Sequence, residues 1–501
     1  MSAALLIRAD ASAQIGTGHV MRCLALAQAW QARGGTAHFV CNAALPPLLA
    51  ERLRNEGATV TLLDVPSGSA ADATATAALA DDRAAHWVAI DGYHFDAAYQ
   101  RRLADAGRQT LFLDDHGHAA HYSADLVLNQ NAYAQAETYA QRDPHTRLLL
   151  GCKYALLRSE FWPWRGRQRQ IAPEVRRVLV TLGGADPENV TLRVIRAFEQ
   201  IRQPELELTV IVGASNPHHA ALADAAAHSP HTVRLLRNVT DMPALMAEAD
   251  LAVTASGSTC WELLFMGLPA LLIEIADNQR PVAQSLAELD VGVRLGWHTD
   301  LDVERMHAAF AGLLHDPARR QAMAAYGQQL VDGYGGARVV QQLRGDPLRL
   351  SRATANDTRL LWEWANEPAV RRASFRSEPI PWDDHVRWFQ ARLPDPHFVL
   401  YIAWDADDEP VGMIRFDIDG DTATVGVSVA AQHRGKGYAA LLIRAGVTTI
   451  MRETAVSAVR ALVKPDNQPS LRAFTTAGFD VVGEYVYHGH RAVELIRRRE
   501  P

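Results

Sequence analysis

The feature that most constrains this chain is a rhythm. From the start to about residue 340, short β-rich apolar runs alternate with longer Ala/Leu-rich helical stretches. The runs Leu5 to Ile7, Ala37 to Cys41, Thr59 to Leu63, Trp87 to Ile90, Thr110 to Leu113 and Leu126 to Asn129 come first. After an Arg- and Pro-containing interruption at Phe161 to Arg177, they resume at Val178 to Thr181, Leu208 to Val212, Thr232 to Leu236, Leu251 to Thr254 and Ala270 to Ile273. Strand, helix, strand in repetition builds a doubly wound parallel sheet, because a parallel partner needs a helical crossover. The interruption predicts a hinge between two α/β lobes, at 1–168 and 169–340. Near residue 347 the grammar changes to antiparallel-looking strands at Leu348 to Arg352, Phe398 to Trp404, Glu409 to Ile418 and Thr422 to Val429. That pattern predicts a separate α+β domain over 348–498. A length of 501 residues accommodates all three at roughly 100 to 200 residues per domain.

Composition narrows the function classes. With 57 acidic and 50 basic side chains, a net charge of −7 offers no general attraction for nucleic acid or anionic membrane. The run Ala3 to Ile7 meets Arg8 at once and is too short for a signal-peptide core, so it reads as a first strand. The apolar run around Leu268 to Ile275 falls short of the ~18 residues that span a bilayer. Cys23, Cys41, Cys152 and Cys260 are too dispersed for a zinc site or a redox dithiol and read as free thiols. The expectation is a soluble cytoplasmic protein without a resident metal.

Three segments carry the chemistry. In the first, Arg8, Asp10 and Ser12 precede Ile15-Gly16-Thr17-Gly18-His19, which opens a helix over Val20 to Ala32 bearing Met21, Arg22 and Cys23. Glycines let backbone approach a ligand, and a helix start presents unpaired N–H groups to an anion. His19 at that start suits proton acceptance from water, because its pKa lies near neutrality. Asp10 is placed to orient or charge-tune that imidazole. Asp91 and Tyr93, at a strand end, are candidate ligand contacts. His116, His118 and His121 beside Asp114 and Asp115 have no compact metal-ligand spacing and read as a solvated loop at the cleft mouth.

This first segment, with Asp91-Gly92-Tyr93, Asp114-Asp115, Asn129-Gln130-Asn131 and Thr181-Leu182-Gly183-Gly184-Ala185-Asp186, resembles the UDP-sugar hydrolases of pseudaminic acid biosynthesis over roughly residues 5 to 335. The resemblance implies hydrolysis of a UDP-2,4-diacetamido-2,4,6-trideoxy-altropyranose to free sugar and UDP. It places the family's catalytic histidine on His19, with Gly16, Gly18 and Arg22 in the same site.

The second segment is Ala255-Ser256-Gly257-Ser258-Thr259 between a strand and a helix carrying Glu262. Small residues there bring backbone N–H groups to a pyrophosphate, hydroxyls add donors, and a carboxylate one turn on accepts ribose hydroxyls. The arrangement resembles the UDP site of two-Rossmann (GT-B-like) glycosyltransferases. Gly183, Gly184 and Asn189, with Asn278 and Gln279, complete the expected cleft wall.

The third segment is Gln432-His433-Arg434-Gly435-Lys436-Gly437-Tyr438-Ala439 at a helix start, followed by Asn467, Ser470 and Ala477-Gly478-Phe479. It resembles the GCN5-related N-acetyltransferases over 348–498, in which such a glycine cradle holds the acetyl-CoA pyrophosphate. Trp364, Asn366, Val370-Arg371, Phe375, Ile380, His385 and Trp388-Phe389 resemble the acceptor-side helices of the acetyltransferase that acts on a UDP-4-amino sugar in the same pathway. This implies an acceptor pocket with Trp364, Asn366, Arg371 and His385. Glu378, Asp383 and Asp417 are alternatives for a base. Phe474 stands where many members carry a tyrosine able to protonate the leaving thiolate, and phenylalanine cannot donate a proton. Ser470, Tyr438, Tyr485 and Tyr487 are alternatives for that role.

The two resemblances together imply a bifunctional enzyme. It would acetylate the 4-amino group of a UDP-4-amino-4,6-dideoxy-N-acetyl-altrosamine with acetyl-CoA, then remove UDP from the product. Its partners would be small-molecule UDP-amino sugars. A UDP-sugar glycosyltransferase fused to an acetyltransferase, and a UDP-sugar binding module that only delivers substrate, remain open as alternatives. Oligomeric state, sugar stereochemistry and acyl preference are not legible.

Overall fold

The computed structural model describes residues 3–12, 15–184, 186–201, 206–213, 216–487 and 489–499. Ala185 of the Gly-Gly motif and the side chain of Tyr485 lie outside the described residues. The chain divides into two compact units, Met1–Val340 and Gln341–Pro501.

The first unit holds two parallel sheets. Strands β1 (Ala4–Ala9), β2 (Thr36–Asn42), β3 (Thr59–Leu63), β4 (Ala85–Asp91), β5 (Gln109–Leu113), β6 (Leu126–Asn129) and β7 (Arg147–Leu150) stand in the order 3-2-1-4-5-6-7. Strands β8 (Arg177–Thr181), β9 (Glu207–Ile211), β10 (Thr232–Leu236), β11 (Leu251–Ala255), β12 (Ala270–Glu274) and β13 (Val293–Trp297) stand in the order 10-9-8-11-12-13. The sequences explain the placement. Leu251–Ala255 and Ala270–Glu274 are buried at every position, as central parallel strands covered by helices on both faces must be. Each fully buried Val or Leu contributes roughly 1.5–3 kcal/mol. One core of the first lobe gathers Leu6, Val40, Val88, Ile90, Phe95, Tyr99 and Phe112. Cores of the second lobe pack Val180, Leu208, Val253 and Phe310 on one side, and Trp261, Leu264 and Phe265 on the other. Cys152, Ala155, Leu157 and Phe161 join that latter core, so residues N-terminal to 168 pack with second-lobe elements.

Strand order places the sites. In a doubly wound sheet a crevice opens at the carboxyl ends of the strands where the order reverses. That point lies between β1 and β4 in the first sheet and between β8 and β11 in the second.

The second unit is one mixed sheet. Strands β14 (Arg349–Arg352), β15 (Phe398–Trp404), β16 (Pro410–Asp419), β17 (Thr422–Val429), β18 (Ala458–Val463), β19 (Asp480–Tyr487) and β20 (His490–Arg498) stand in the order 14-15-16-17-18-20-19. All neighbours are antiparallel except β17 and β18. These two pair only from Thr422–Ala458 to Val425–Ala461, while β17 continues to Val429. The sheet therefore splits into a wedge beyond Val425. The helix Tyr438–Glu453 buries Leu442, Ile443, Val447 and Ile450 into the core of this unit.

Candidate active sites

At the first switch point the chain leaves β1 through Asp10 and returns in a narrow loop. Ser12 and Gly16 exchange backbone bonds, Gly16 N donating to Ser12 O at 2.9 Å and Ser12 N to Gly16 O at 3.3 Å. The helix Gly18–Gln31 follows, with no side-chain cap among the described residues. Its first N–H groups are open to an acceptor, as an anion site requires. His19 sits in its first turn, its ring edge-on to Tyr93 with centroids 5.0 Å apart. Burial lowers the His19 pKa, the negative charge of Asp91 pulls it back, and Arg22 lowers it further. The balance favours the neutral imidazole, the form that accepts a proton.

The bonds of Asp10 go to residues other than His19. Its carboxylate takes the Arg8 guanidinium through both oxygens and the Asn42 N–H at 2.6 Å, and His94 Nε2 lies 3.0 Å from Oδ2. Arg8 is fully buried and also donates to Asp72 at 2.9 and 2.8 Å. Although burial pushes the Asp10 carboxyl up, His94 and Arg8 hold it well below the usual carboxylate range. The expected Asp10–His19 orientation is thus corrected: Asp10, one residue past the end of β1, holds the buried Arg8 and the Asn42 N–H at the end of β2.

The partner of the helix is Arg22. It donates to Asp91 at 2.5 and 2.7 Å and to Asp115 at 2.7 Å. Arg22 and Asp91, both expected as substrate contacts, are buried and joined in one charge network. Asp115 also receives the Tyr93 hydroxyl at 2.7 Å and Asn131 Nδ2 at 3.0 Å. Burial raises the Asp115 carboxyl, but Arg22 and these donors hold it far below its ordinary value. Asp115 and Asn131 were visible as motif residues and carried no assigned role, because their partners lie far away in sequence.

The second lobe meets this network. Asn278 Nδ2 donates to the Tyr93 hydroxyl at 3.1 Å, so that hydroxyl is shared by both lobes. Gly183 (φ +88°) and Gly184 follow β8. The Gly184 carbonyl packs so closely on Gly213 that a Cβ there would lie 2.2 Å from its oxygen. Asn189 begins the helix Val190–Glu199 with φ +50°, and among the described residues its Oδ1 is buried without a partner. Three of the expected residues have protein partners here. The Ser256 hydroxyl turns inward to Ile273 O at 3.1 Å, since β12 lies directly beside that turn. Gln279 Oε1 accepts Ile275 N at 3.1 Å, leaving its Nε2 toward Gly257. Glu262 already pairs with Arg158 at 3.0 Å. Gly257, Ser258 and Thr259 form the turn into the helix Thr259–Met266, which has no side-chain cap among the described residues.

In the second unit, Gly435 (φ +75°) and Gly437 (φ +83°) face open space, with nothing within 4 Å of either Cβ position. Gly437 heads the helix Tyr438–Glu453 without a side-chain cap among the described residues. Gln432, Arg434 and Lys436 are exposed around it, Tyr438 and Ala439 half-buried. Arg434 donates to Val429 O at 3.0 Å and forms an ion pair with Glu367. Asn467 is a cap: its Oδ1 accepts Ser470 N at 3.2 Å at the start of the helix Gln468–Thr476.

The expected acceptor-side residues bond to nearby backbone or pack in the core. Asn366 staples Ile380, accepting its N–H at 2.7 Å and donating to its carbonyl at 3.0 Å. Arg371 donates to the carbonyls of Arg376 and Glu378, and buried His385 bonds Thr358 O at 3.1 Å. Trp364 packs against the core around Leu361, Phe389 and Phe398. Asp417 is paired with Arg392. Phe474 is 3% exposed and packs edge-on against Phe479, so its ring belongs to the core.

Among the described residues no group of three His, Cys, Asp or Glu is gathered as for a metal ion. His118 turns to Asp114 and His121 to Asp143. All four cysteines are buried and free. Among the described residues no helix is long and apolar enough to cross a membrane.

A wedge-split mixed sheet with a glycine cradle, preceded by two parallel-sheet lobes meeting at their switch points, defines an acetyltransferase-type domain after a GT-B-like pair. Known proteins agree. Residues 347–480 match the acetyltransferase (GNAT) domain, and residues 177–333 match the glycosyltransferase family 28 C-terminal domain. The chain is 25% identical over 288 residues to the UDP-2,4-diacetamido-2,4,6-trideoxy-beta-L-altropyranose hydrolase of Campylobacter jejuni, covering 57% of this chain and 96% of that one. An uncharacterised protein of Methanocaldococcus jannaschii is 19% identical over 407 residues, 78% of this chain and 81% of its own. The crystal structure of MurG from Acinetobacter baumannii superposes with a TM-score of 0.52 at 16% identity, covering 68% of this chain and 99% of that one, and shows the GT-B-like fold. The chain joins a glycosyltransferase 28-like C-terminal domain to a GNAT acetyltransferase domain and is homologous to the Campylobacter hydrolase. It is an enzyme.

Proposed function

We propose that this chain carries out two steps on one UDP-amino sugar in pseudaminic acid biosynthesis. The C-terminal unit acetylates the 4-amino group of a UDP-4-amino-4,6-dideoxy-N-acetyl-altrosamine from acetyl-CoA. The N-terminal unit hydrolyses the resulting UDP-2,4-diacetamido-2,4,6-trideoxy-altropyranose to free sugar and UDP. The single observation that carries the hydrolytic reading is Tyr93, whose ring lies edge-on to His19 and whose hydroxyl is shared by Asp115 of one lobe and Asn278 of the other. A neutral, half-buried imidazole there takes a proton from water as its oxygen attacks the anomeric carbon and the bond to UDP breaks. General-base assistance of this kind typically contributes ~100- to 10,000-fold. The open helix starts at Gly18 and after Gly257, with the turn at Gly183 and Gly184, suit the departing diphosphate.

In the C-terminal unit, the cradle at Gly435 and Gly437 suits the pyrophosphate of acetyl-CoA. The wedge beyond Val425 leaves unpaired β17 backbone alongside, where a thioester lies in reach of an incoming amine. The neutral amine nitrogen attacks the thioester carbonyl, the C–S bond breaks, CoA leaves as the thiolate, and the proton lost from nitrogen passes through solvent to the sulfur.

The test is NMR of the full-length protein given the UDP-4-amino sugar and acetyl-CoA, beside His19→Ala. Wild type is expected to yield free diacetamido sugar, UDP and CoA, and the variant to stop at the acetylated UDP-sugar. The family 28 match and the MurG-like fold favour a second reading, a glycosyltransferase. Accumulation of acetylated UDP-sugar with no UDP release in water would support that reading and overturn the first.

A further inference from the structure

The loop after β5 is organised round one carboxylate. Asp114 Oδ1 accepts the backbone N–H groups of Asp115 at 2.6 Å, His116 at 2.9 Å and Gly117 at 3.0 Å, while Oδ2 accepts the Tyr122 hydroxyl. The loop thereby fixes Asp115, which holds Arg22, Tyr93 and Asn131 beside His19. His118 closes it. Its Nδ1 lies 3.3 Å from Asp114 Oδ1 and its Nε2 lies 3.1 Å from the Phe95 carbonyl oxygen. A peptide carbonyl and an ionised carboxylate only accept. Both contacts are hydrogen bonds only when both ring nitrogens carry hydrogen, which is the imidazolium. The groups facing this ring are the carboxylates of Asp114 and Asp115, the neutral phenol of Tyr93 at 5.6 Å, the Phe112 ring at 5.5 Å and the His116 imidazole at 5.8 Å.

We propose that His118 is a positioning residue for the hydrolytic site, holding as a doubly protonated imidazolium the Asp114–Gly117 loop that sets Asp115, and through it Arg22 and Tyr93, beside His19. The inference rests on the reading of His19 as the base of that site. Supporting it, burial lowers the His118 pKa but the bond and charge of Asp114 outweigh burial and raise it. A raised folded-state pKa means that the contribution of His118 is full below the ordinary histidine value and is lost as pH rises through the folded value.

The experiment is nitrogen-15 NMR of histidine-labelled full-length protein, with His118→Gln and His19→Ala for assignment, alongside kcat against pH. In wild type at about pH 7 both His118 nitrogens are expected to be protonated. In His118→Gln the His19 titration is expected to move by about half a unit or more, since the charges around it shift. The alkaline decline of kcat should disappear, with kcat about tenfold lower at neutral pH and KM within about twofold. One unprotonated His118 nitrogen at neutral pH, or an unmoved His19 titration in the variant, overturns the proposal. Should His118→Gln not fold, the His118 titration in wild type decides alone. If wild type releases no UDP, the hydrolytic reading fails, while the two NMR readouts still decide what His118 does to His19.

Discussion

His19 is useful as a base only while neutral, and its surroundings decide the pH at which that holds. Burial is the largest influence and lowers its pKa, with Asp91 opposing. A lowered base pKa moves the acidic limb of the rate downward. The midpoint of that limb in kcat/KM for the UDP-sugar is therefore expected below the ordinary histidine value of about 6.5. A midpoint above about 7 would mean that Asp91 and Asp115 win over burial. Arg8 argues for stability in the same way. Its guanidinium is fully buried between Asp10 and Asp72, and removing it strands two buried carboxylates. Arg8→Met is expected to lose about 3–5 kcal/mol in denaturant unfolding. A loss under about 1 kcal/mol would show that the carboxylates escape to solvent or take up protons. Because the Asp10 carboxyl is depressed in the folded chain, its contribution is present above the unfolded carboxylate range and declines as pH falls through the folded value. Sequence disclosed the residue types here and not their pairings. Arg22 meets Asp91 across 69 positions and Asp115 across 93, distances over which spacing carries no geometric information. Asp10, near His19 in sequence, belongs to Arg8 and Asp72 instead.

At the scale of elements, the strand and helix starts were legible where apolar runs end in glycine. The runs that became β1 to β6 and β8 to β12 announced themselves by β-branched and aliphatic density. β7 is only Arg147–Leu150, and β13 carries Gly296 within Val293–Trp297, so neither stood out from its surroundings. The hairpin β19–β20 mixes charges into both strands, which hid it from an apolar pattern. The acceptor-side motif shows the reverse limit: Asn366 and His385 sat in a recognisable pattern, yet their polar atoms serve Ile380 and Thr358. A glycine outside the quoted motifs bears on the proposed UDP site. Gly213 follows β9 with the Gly184 carbonyl against it. Gly213→Ala forces backbone against backbone, an overpacking of about 1–3 kcal/mol that is relieved by pushing the Gly183–Gly184 turn away. KM for the UDP-sugar is expected to rise about tenfold, with acetyl transfer by the other unit unchanged. An unchanged KM would detach the Gly183–Gly184 turn from the nucleotide.

At the scale of the molecule, each unit has its own core, so the two proposed activities are expected to be separable by single substitutions. Gly437 takes φ +83° at the open start of the helix Tyr438–Glu453. A side chain there costs about 1–2 kcal/mol locally and intrudes on the backbone face proposed to receive the pyrophosphate. Gly437→Val is expected to lower acetylation at least about tenfold through KM for acetyl-CoA, each tenfold being about 1.4 kcal/mol. Hydrolysis of acetylated UDP-sugar supplied directly should stay within about twofold of wild type. His19→Ala should give the mirror image, full acetylation without release of UDP. The chain-level question is then kinetic. Two steps on one chain, exchanging product through solution, give free sugar after a lag that shortens as enzyme concentration rises, whereas direct transfer gives a lag independent of it. Following UDP and CoA release together over a tenfold range of enzyme distinguishes the two. Mixing Gly437→Val with His19→Ala completes the test, because complementation to the wild-type rate at saturating substrate requires that the acetylated intermediate leave one chain and enter another.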